Sequence, residues 1–155
     1  MKGTASTQKG FTLVEAIIAI FIIGIVTAIA IPQFQKMATN AKLRAAARDL
    51  MADFSRLKER AMSENMAYKI TFNDTEDINN YAIQQKDGLT IQIKTPAWFG
   101  AIRILSATFG RGKTITFHTR GTASAGHVVL VDERNSTATI TVNFAGRTHV
   151  RFEFN

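Results

Sequence analysis

The chain has 155 residues, of which 46% are hydrophobic and 20% are charged, and it contains no cysteine. Its length fits one globular domain, and its composition excludes an intrinsically disordered chain. The absence of cysteine excludes a disulfide scaffold, a thiolate metal site and a cysteine nucleophile. The formal net charge of +7 keeps acidic partners, such as nucleic acid or anionic lipid, among the open classes.

An apolar segment, residues 11–31, follows a polar leader of ten residues. As a helix, this segment would be about 31 Å long, which is enough to cross a hydrocarbon core of about 30 Å. The leader carries Lys2 and Lys9 and no acid, and this charge predicts that the N-terminus stays in the cytoplasm.

Three kinds of N-terminal segment fit this pattern: a secretory signal that ends at Ala30, a plain membrane anchor, and a more specialised signal. The first two leave Glu15 unexplained, because a carboxylate near the start of a membrane span is costly and usually functional. Cleavage after Ala30 would also discard the apolar helix, whereas cleavage in the leader would retain it.

The string KGFTLVE, residues 9–15, stands where the leader meets the apolar segment. It resembles the class III signal of type IV pilins and type II secretion pseudopilins, and Gly24, Pro32 and the string AIAIPQF extend the resemblance. The resemblance implies that a prepilin peptidase cuts after Gly10 and N-methylates the new terminal residue, Phe11. It also implies a single-pass inner-membrane protein with a periplasmic globular domain, which then enters a periplasmic pseudopilus or a surface pilus.

The same resemblance implies assembly roles for Thr12, Glu15, Gly24 and Pro32. In the family, the glutamate that matches Glu15 neutralises the terminal amine of a neighbouring subunit, and pairing in a dry bundle offsets the desolvation cost of both charges. The stretch between the matching glycine and proline loses helicity on assembly. The alternatives are a glutamate that snorkels to the membrane interface, an ordinary membrane-helix glycine and a boundary proline.

After Pro32 the pattern becomes that of an amphipathic helix. Apolar residues recur at alternating spacings of four and three: Leu43, Ala47, Leu50, Phe54, Leu57 and Ala61. This spacing predicts one helix over residues 11–64, whose second half packs on a domain. A helix on the membrane surface is the alternative for this half, but its charges are of both signs.

From Ala67 the hydrophobic period changes to two, which indicates strands. The predicted strands are YKITF, YAIQQ, TIQIK, KTITFH, HVVLV, ATITVNF and THVRFEF, with a hairpin turn at residues 86–88 and polar loops that include residues 132–136. Residues 96–112 give no clear pattern. The predicted fold is α+β and pilin-like, with a leader (1–10), a transmembrane assembly helix (11–32), an amphipathic half of the same helix (33–66) and a β-rich globular domain (67–155).

The back half resembles a narrower group, the H-type minor pseudopilins and FimT-like minor pilins. Phe117 and Gly121 in ITFHTRG, the VVLV strand and a last strand entered through Gly146 and Arg147 carry this resemblance. Some FimT-like pilins bind DNA through a Gly-Arg-x-Arg motif near the C-terminus. In this chain the string is GRTHVR, and the second arginine falls two positions late.

Alternation along the last strand places Val150, Phe152 and Phe154 on the core face. Arg147, His149 and Arg151 then lie on the outer face, where they could contact phosphates in a salt-sensitive way. The alternative is a solvated, mildly basic strand face.

The sequence offers no enzyme site, and no cofactor is expected. His118, His127 and His149 lack the spacing of metal ligands, and no nucleophile elbow occurs. The sequence therefore predicts a minor pilin or pseudopilin that primes or caps a filament. The alternatives are a DNA-binding minor pilin for natural transformation and a major structural pilin. The implied partners are the prepilin peptidase, other pilins, an inner-membrane assembly platform, membrane lipid and, for the first alternative, DNA.

Overall fold

The computed structural model describes residues 12–75, 78–85, 89–94, 101–110 and 112–155. Within these residues one helix, α1 (Leu13–Ser63), precedes eight strands. The strands are β1 (Tyr68–Thr75), β2 (Ile78–Gln85), β3 (Thr90–Lys94), β4 (Ile102–Phe109), β5 (Thr114–Phe117), β6 (Gly126–Asp132), β7 (Thr137–Val142) and β8 (Thr148–Glu153). The chain divides into two compact units, Met1–Met37 and Ala38–Asn155. This order of one long helix and then strands confirms the predicted α+β, pilin-like fold.

The strands form two four-stranded antiparallel sheets in the second unit. The first sheet has the order β3-β2-β1-β5, and the second has the order β4-β6-β7-β8. Seven of these strands lie where the sequence predicted them. The predicted turn at residues 86–88 lies outside the described residues, although β2 and β3, which flank it, are paired antiparallel.

Strand β4 is the one that the sequence pattern did not indicate. Its register with β6 shifts between Ile104 and Ser106, so Leu105 is an extra residue in this strand. The bulge breaks the alternation of buried and exposed side chains after four residues, and a period of two is therefore not visible in IRILSATF.

The core of the second unit lies between α1 and the sheets. All six apolar helix positions predicted to face a domain are buried: Leu43, Ala47, Leu50, Phe54, Leu57 and Ala61. The ring of Phe54 connects the helix to two strands of the first sheet. Its centroid lies 6.3 Å from that of Phe72 in β1 and 5.9 Å from that of Phe117 in β5. From Leu43 onward, the predicted amphipathic half of the helix thus packs as a core helix.

The last strand departs in part from its predicted packing. Val150 and Phe152 are only partly buried, and Phe154, beyond the end of β8, is 40% exposed. The physical reason is that β8 is an edge strand, so its inner face extends past the core. The Arg44 guanidinium covers this end of the sheet, 5.0 Å from the Phe154 ring centroid and 5.9 Å from that of Phe152.

The β6–β7 turn is also less solvated than its composition suggests. Asp132 is buried, and its Oδ1 accepts hydrogen bonds from the backbone N–H of Arg134 at 2.9 Å and of Ser136 at 2.8 Å. Asn135 completes the turn with a φ of 62°, a conformation that asparagine tolerates better than most residues. The Asp132 carboxylate therefore stabilises this turn by accepting hydrogen bonds from two of its backbone N–H groups.

We expect the Gly126→Ala substitution to destabilise the globular unit by about 3 kcal/mol or more. Gly126 lies opposite Phe109 in the β4–β6 pair, and a Cβ there would come within 2.1 Å of the Thr108 carbonyl oxygen. Thermal unfolding of the full chain, followed by circular dichroism, measures the effect. Gly112→Ala is the matched control, because a Cβ at Gly112 meets nothing within 4 Å. Equal melting temperatures for the two variants would contradict the prediction.

Candidate functional site

The N-terminus of α1 carries a local cap around Glu15. Thr12 precedes the first helical residue, and its Oγ1 accepts a hydrogen bond from the Glu15 backbone N–H at 3.2 Å. The Thr12 carbonyl oxygen accepts the next one, from the Ala16 N–H at 3.2 Å. Threonine at the cap and glutamate three residues later is the pattern of a capping box, and a carboxylate in the first turn also complements the helix dipole. Gly10 and Phe11 lie outside the described residues, so the cleavage and methylation site stays a prediction.

The first unit exposes a large apolar surface. Every side chain from residue 12 to residue 29 is exposed, and the helix contains an 18-residue window of mean hydropathy 2.8. By length and composition this helix can cross a membrane. Soluble proteins rarely expose a continuous apolar surface of this size, and such a surface marks a site of interaction with a membrane or another protein.

Gly24 and Pro32 lie inside α1, and the helix continues through both. Proline cannot donate the backbone hydrogen bond that the carbonyl four residues earlier would accept. Between them, Thr27 Oγ1 donates to the Ile23 carbonyl oxygen at 2.7 Å, a bond that competes with the helix ladder. The chain described is therefore helical where the resemblance implies a loss of helicity on assembly, and that loss stays a prediction.

The three basic residues near the C-terminus share one exposed surface. His149 and Arg151 alternate with partly buried residues along β8, and Arg147 is exposed just before this strand. Across the sheet His149 lies opposite Thr141, and Thr141 lies opposite His127. The second sheet thus brings His127 onto the surface that the sequence assigned to Arg147, His149 and Arg151. The positive charge of Arg151 is partly compensated by Glu153, because the Glu153 Oε1 atom lies 3.9 Å from the Arg151 Nε atom.

The turn before β8 is held by contacts that the sequence pattern did not indicate. Lys58 on α1 donates from Nζ to the carbonyl oxygens of Ala145 at 3.0 Å and Gly146 at 3.3 Å. Asn143 Oδ1 accepts a hydrogen bond from the Arg147 N–H at 2.9 Å. Gly146 has a φ of 66°, and a Cβ there would lie 2.8 Å from the Gly121 carbonyl oxygen. Gly121 and Gly146, which are part of the narrower resemblance, therefore lie where the turn, the Gly121 loop and the helix pack too closely for a side chain.

A buried carboxylate joins the helix to the first sheet. Asp53 is 4% exposed and lies on the buried face of α1, and it accepts a hydrogen bond from the Tyr81 hydroxyl of β2. The ammonium group of Lys94 in β3 lies 2.7 Å from both carboxylate oxygens. Desolvation first, and then the hydrogen bond to Asp53, raise the pKa of Tyr81 well above its ordinary value. Sequence reasoning missed this cluster, since Asp53 stands among the many charges of the helix.

His118 lies apart from the other two histidines. It follows β5 and lines an open cavity of about 530 Å³ together with Lys69 and Thr116. In the part of the chain that the structure describes, no group of three or more His, Cys, Asp or Glu residues could hold a metal ion.

Comparison with known families decides the assignment. Residues 46–146 match the family model of type II transport protein GspH, and residues 5–31 match the model of the prokaryotic N-terminal methylation motif. The chain belongs to the GspH family. Both resemblances read from the sequence are thereby confirmed, that of the N-terminal signal and that of the back half.

Individual relatives connect this GspH-family chain with filament proteins. It is 30% identical to the type IV major fimbrial protein FimA of Dichelobacter nodosus over 126 residues, which are 73% of this chain and 78% of FimA. A fimbrial protein of Pseudomonas aeruginosa is 29% identical over 138 residues, 83% of this chain and 80% of the relative. The chain thus resembles filament subunits over most of their length.

Solved structures share the fold of this GspH-family chain. The minor pseudopilin EpsH from the type 2 secretion system of Vibrio cholerae superimposes with a TM-score of 0.57 at 10% identity, over 72% of this chain and 97% of EpsH. The type IV minor pilin FimU of Pseudomonas aeruginosa PAO1 also gives 0.57, at 16% identity, over 72% of this chain and 90% of FimU. Identities this low show the fold alone. Together with the family match, they support a minor pilin or pseudopilin and give no support to the DNA-binding alternative.

This chain is expected to lose stability above about pH 10, because Tyr81 then ionises in the unfolded state while its raised pKa keeps it protonated in the folded state. A raised folded pKa means that the contribution of Tyr81 is fully present below the unfolded pKa of about 10 and is lost as the pH rises above it. The Tyr81→Phe variant is expected to be about 1 kcal/mol less stable than the wild type at pH 8, and the gap should narrow at pH 11. Urea unfolding midpoints at both pH values measure this gap. The other tyrosine, Tyr68, is retained in both chains and serves as the background. An unchanged gap would contradict the prediction.

Proposed function

We propose that this GspH-family chain is a minor pilin or pseudopilin that primes or caps a type IV pilus or a type II secretion pseudopilus. The observation that carries the proposal is the combination of the family match with an exposed, membrane-length apolar helix that bears a carboxylate in its first turn. An apolar helix retained on a globular unit suits a subunit that leaves the membrane by exchanging lipid contacts for contacts with neighbouring helices.

Processing by a prepilin peptidase is the first step of the proposal. The match of residues 5–31 to the methylation motif supports cleavage after Gly10 and methylation of Phe11. Cleavage removes the leader with Lys2 and Lys9, so the net charge falls from +7 to +5. The positive charge that holds the N-terminus in the cytoplasm is then reduced to the new terminal amine, and the helix can be drawn out of the membrane.

Glu15 is the proposed recruiting residue. Its backbone N–H is bound by Thr12, so the first turn is formed before a neighbour arrives. In an environment of low dielectric constant, a carboxylate and an amine attract far more strongly than in water, and each offsets the desolvation of the other. The terminal amine of a neighbouring processed subunit is the partner of the required charge. The pairing sets the axial position of one helix against the next.

Membrane lipid, the assembly platform and the peptidase are the remaining proposed partners, and they place the chain at the inner membrane. The helix lies in the inner membrane, in contact with lipid and the assembly platform, with the globular unit in the periplasm. Prepilin peptidase acts on it from the cytoplasmic side. The proposed role is structural, in keeping with a family of filament subunits, so no substrate or cofactor is assigned to the globular unit.

Mass spectrometry of membranes and of sheared filaments tests the proposal. The expected result is a chain that begins at methylated Phe11, present in filaments at a small fraction of the most abundant pilin or retained as a cleaved species in the membrane. The Gly10→Val variant is expected to remain uncleaved, and Gly3→Val in the same leader is its matched control. An uncleaved wild-type chain in every fraction would overturn the proposal.

A major structural pilin is the second candidate, favoured by the 30% identity with the major fimbrial protein FimA. The same quantification separates the two. A chain that is the most abundant protein of sheared filaments would replace the minor role by the major one, whereas trace amounts would support priming or capping.

A further inference from the structure

The outer strand of the first sheet exposes apolar side chains. Strand β3 stands at the end of the order β3-β2-β1-β5. Leu89, just before this strand, is 66% exposed, and Ile91 and Ile93 within it are 38% and 63% exposed. The unpaired N–H and C=O groups of an edge strand can pair with another chain, and proteins usually prevent this with charges, bulges or covering segments.

The other edge strands that the structure describes carry such protection. Next to β5, the backbone N–H of Ser124 donates to the Thr116 carbonyl oxygen at 2.9 Å, so this edge is bridged by a following segment. Arg103 is exposed on β4, and Arg151 and Glu153 are exposed on β8. These edges therefore present charges or are already paired.

The charge of β3 is directed away from its edge. Lys94 is the strand's one charged residue, and its ammonium group is bound by the buried carboxylate of Asp53. The register of β3 shifts against β2 between Ile83 and Gln84, so Ile91 is an extra residue that twists the strand. Among the described residues this bulge is the one feature that protects the edge of β3, and it adds no charge. The edge of β3 that pairs with no other described strand thus combines exposed isoleucines with a neutralised lysine.

The sequence of β3 fits a second copy of itself. TIQIK reads Ile-Gln-Ile in both directions about Gln92. When two such strands run antiparallel, Gln92 faces Gln92, Ile91 faces Ile93 of the other copy, and no like charges oppose each other. We propose that β3 of one chain adds to β3 of a second copy about a two-fold axis, which joins the two first sheets into one.

The size of this contact determines how it must be measured. Five residues span about 17 Å of strand, so the contact lies below the roughly 1,200 Å² typical of stable interfaces. The pairing is therefore weak and transient, and membrane anchoring concentrates the chains that form it. A covalent trap suits such a contact better than a measurement of molecular size.

Because the chain has no cysteine, a single introduced cysteine can form a disulfide only with the same position of a second copy. A Gln92→Cys variant of the full chain, purified in detergent micelles, carries one thiol, and in the proposed pairing the two thiols face each other. Directly opposed strand residues have Cα atoms about 4.5–5.5 Å apart, which lies within the range of a disulfide. Under mild oxidation we expect about tenfold more disulfide-linked dimer than for Thr141→Cys, an exposed residue of a central strand.

A second variant separates strand pairing from association of the apolar helices. Gln92→Cys combined with Ile93→Lys keeps the thiol and the helix but places a charge of the same sign in both copies of the contact. Ile93 is largely exposed, so the fold is retained, and circular dichroism verifies this. We expect its dimer yield to fall to that of Thr141→Cys. A Gln92→Cys yield no higher than that of Thr141→Cys, or a yield that Ile93→Lys leaves unchanged, would overturn the pairing. The experiment uses unassembled protein, so its outcome does not depend on the role in a filament.

Discussion

The Glu15→Ala variant is expected to be cleaved and methylated normally but to enter filaments at about one hundredth of the wild-type level or less. Removal of one partner of a buried ion pair costs about 3–5 kcal/mol, because the other charge is left without compensation in a dry environment. This free energy corresponds to a factor of more than about 100 in an equilibrium constant. In the proposed assembly the affected step is docking of the helix beside a processed neighbour, where Glu15 would act from the exposed first turn of α1.

Three further variants define the origin of this effect. Glu15→Gln keeps the shape and the hydrogen-bonding capacity without the charge, and we expect it to fail as Glu15→Ala does. Glu15→Asp retains the charge and should restore part of the incorporation. Glu59→Gln, an exposed carboxylate on the same helix, is the matched control and should assemble normally. Quantitative mass spectrometry of membrane and filament fractions gives all four values. Normal incorporation of Glu15→Gln would show that charge pairing is not the function of Glu15.

We expect the Lys94→Met variant to lose about 2–3 kcal/mol of unfolding free energy. The substitution leaves the Asp53 carboxylate buried, with the Tyr81 hydroxyl as its hydrogen-bond donor and the exposed Arg56 guanidinium at 3.9 Å. The loss should be smaller than that for a fully buried pair, because the Lys94 side chain is 30% exposed. Urea unfolding of the full chain in detergent measures it. Lys42→Met, at an exposed lysine of α1, the helix that carries Asp53, is the control and should change the stability by less than about 0.5 kcal/mol.

The double variant Asp53→Asn with Lys94→Met tests whether the uncompensated charge is the cause. An asparagine at position 53 can still accept the Tyr81 hydrogen bond, and it needs no cation. We therefore expect the double variant to be more stable than Lys94→Met alone, with a coupling energy of about 1–3 kcal/mol between the two positions. A double variant in which the two losses simply add would contradict the ion pair as the source of stability.

The sequence predicts the elements whose hydrophobic pattern depends only on residues close together in the chain. The spacing of Leu43, Leu50 and Phe54 identifies the buried face of α1, because a helix repeats every 3.6 residues whatever it packs against. Strand β4 was missed because the extra residue Leu105 disrupts an alternation that must be unbroken to be recognised. One inserted residue in a strand is invisible until its pairing partner is known.

Interactions between distant residues lay beyond the sequence. Asp53 and Lys94 are 41 residues apart, and their pairing depends on the register that places Lys94 opposite Tyr81. His127 joins His149 on one surface only because both face Thr141 across two strand pairs. A single sequence states which side of a strand a residue occupies but not which residues of other strands lie beside it. The N-terminal signal was recognisable for the opposite reason, since its residues are consecutive.

The start of α1 has a consequence for proteolysis. The helix begins at Leu13 and its cap is Thr12, so the proposed scissile bond between Gly10 and Phe11 precedes the first helical hydrogen bond. Cleavage at this bond would remove no residue of α1 as described and would leave the Thr12 cap in place. Cleavage would then alter the charge at the end of the helix while its depth and rotation in the bilayer stay as they were, and the subunit would be ready for assembly without refolding.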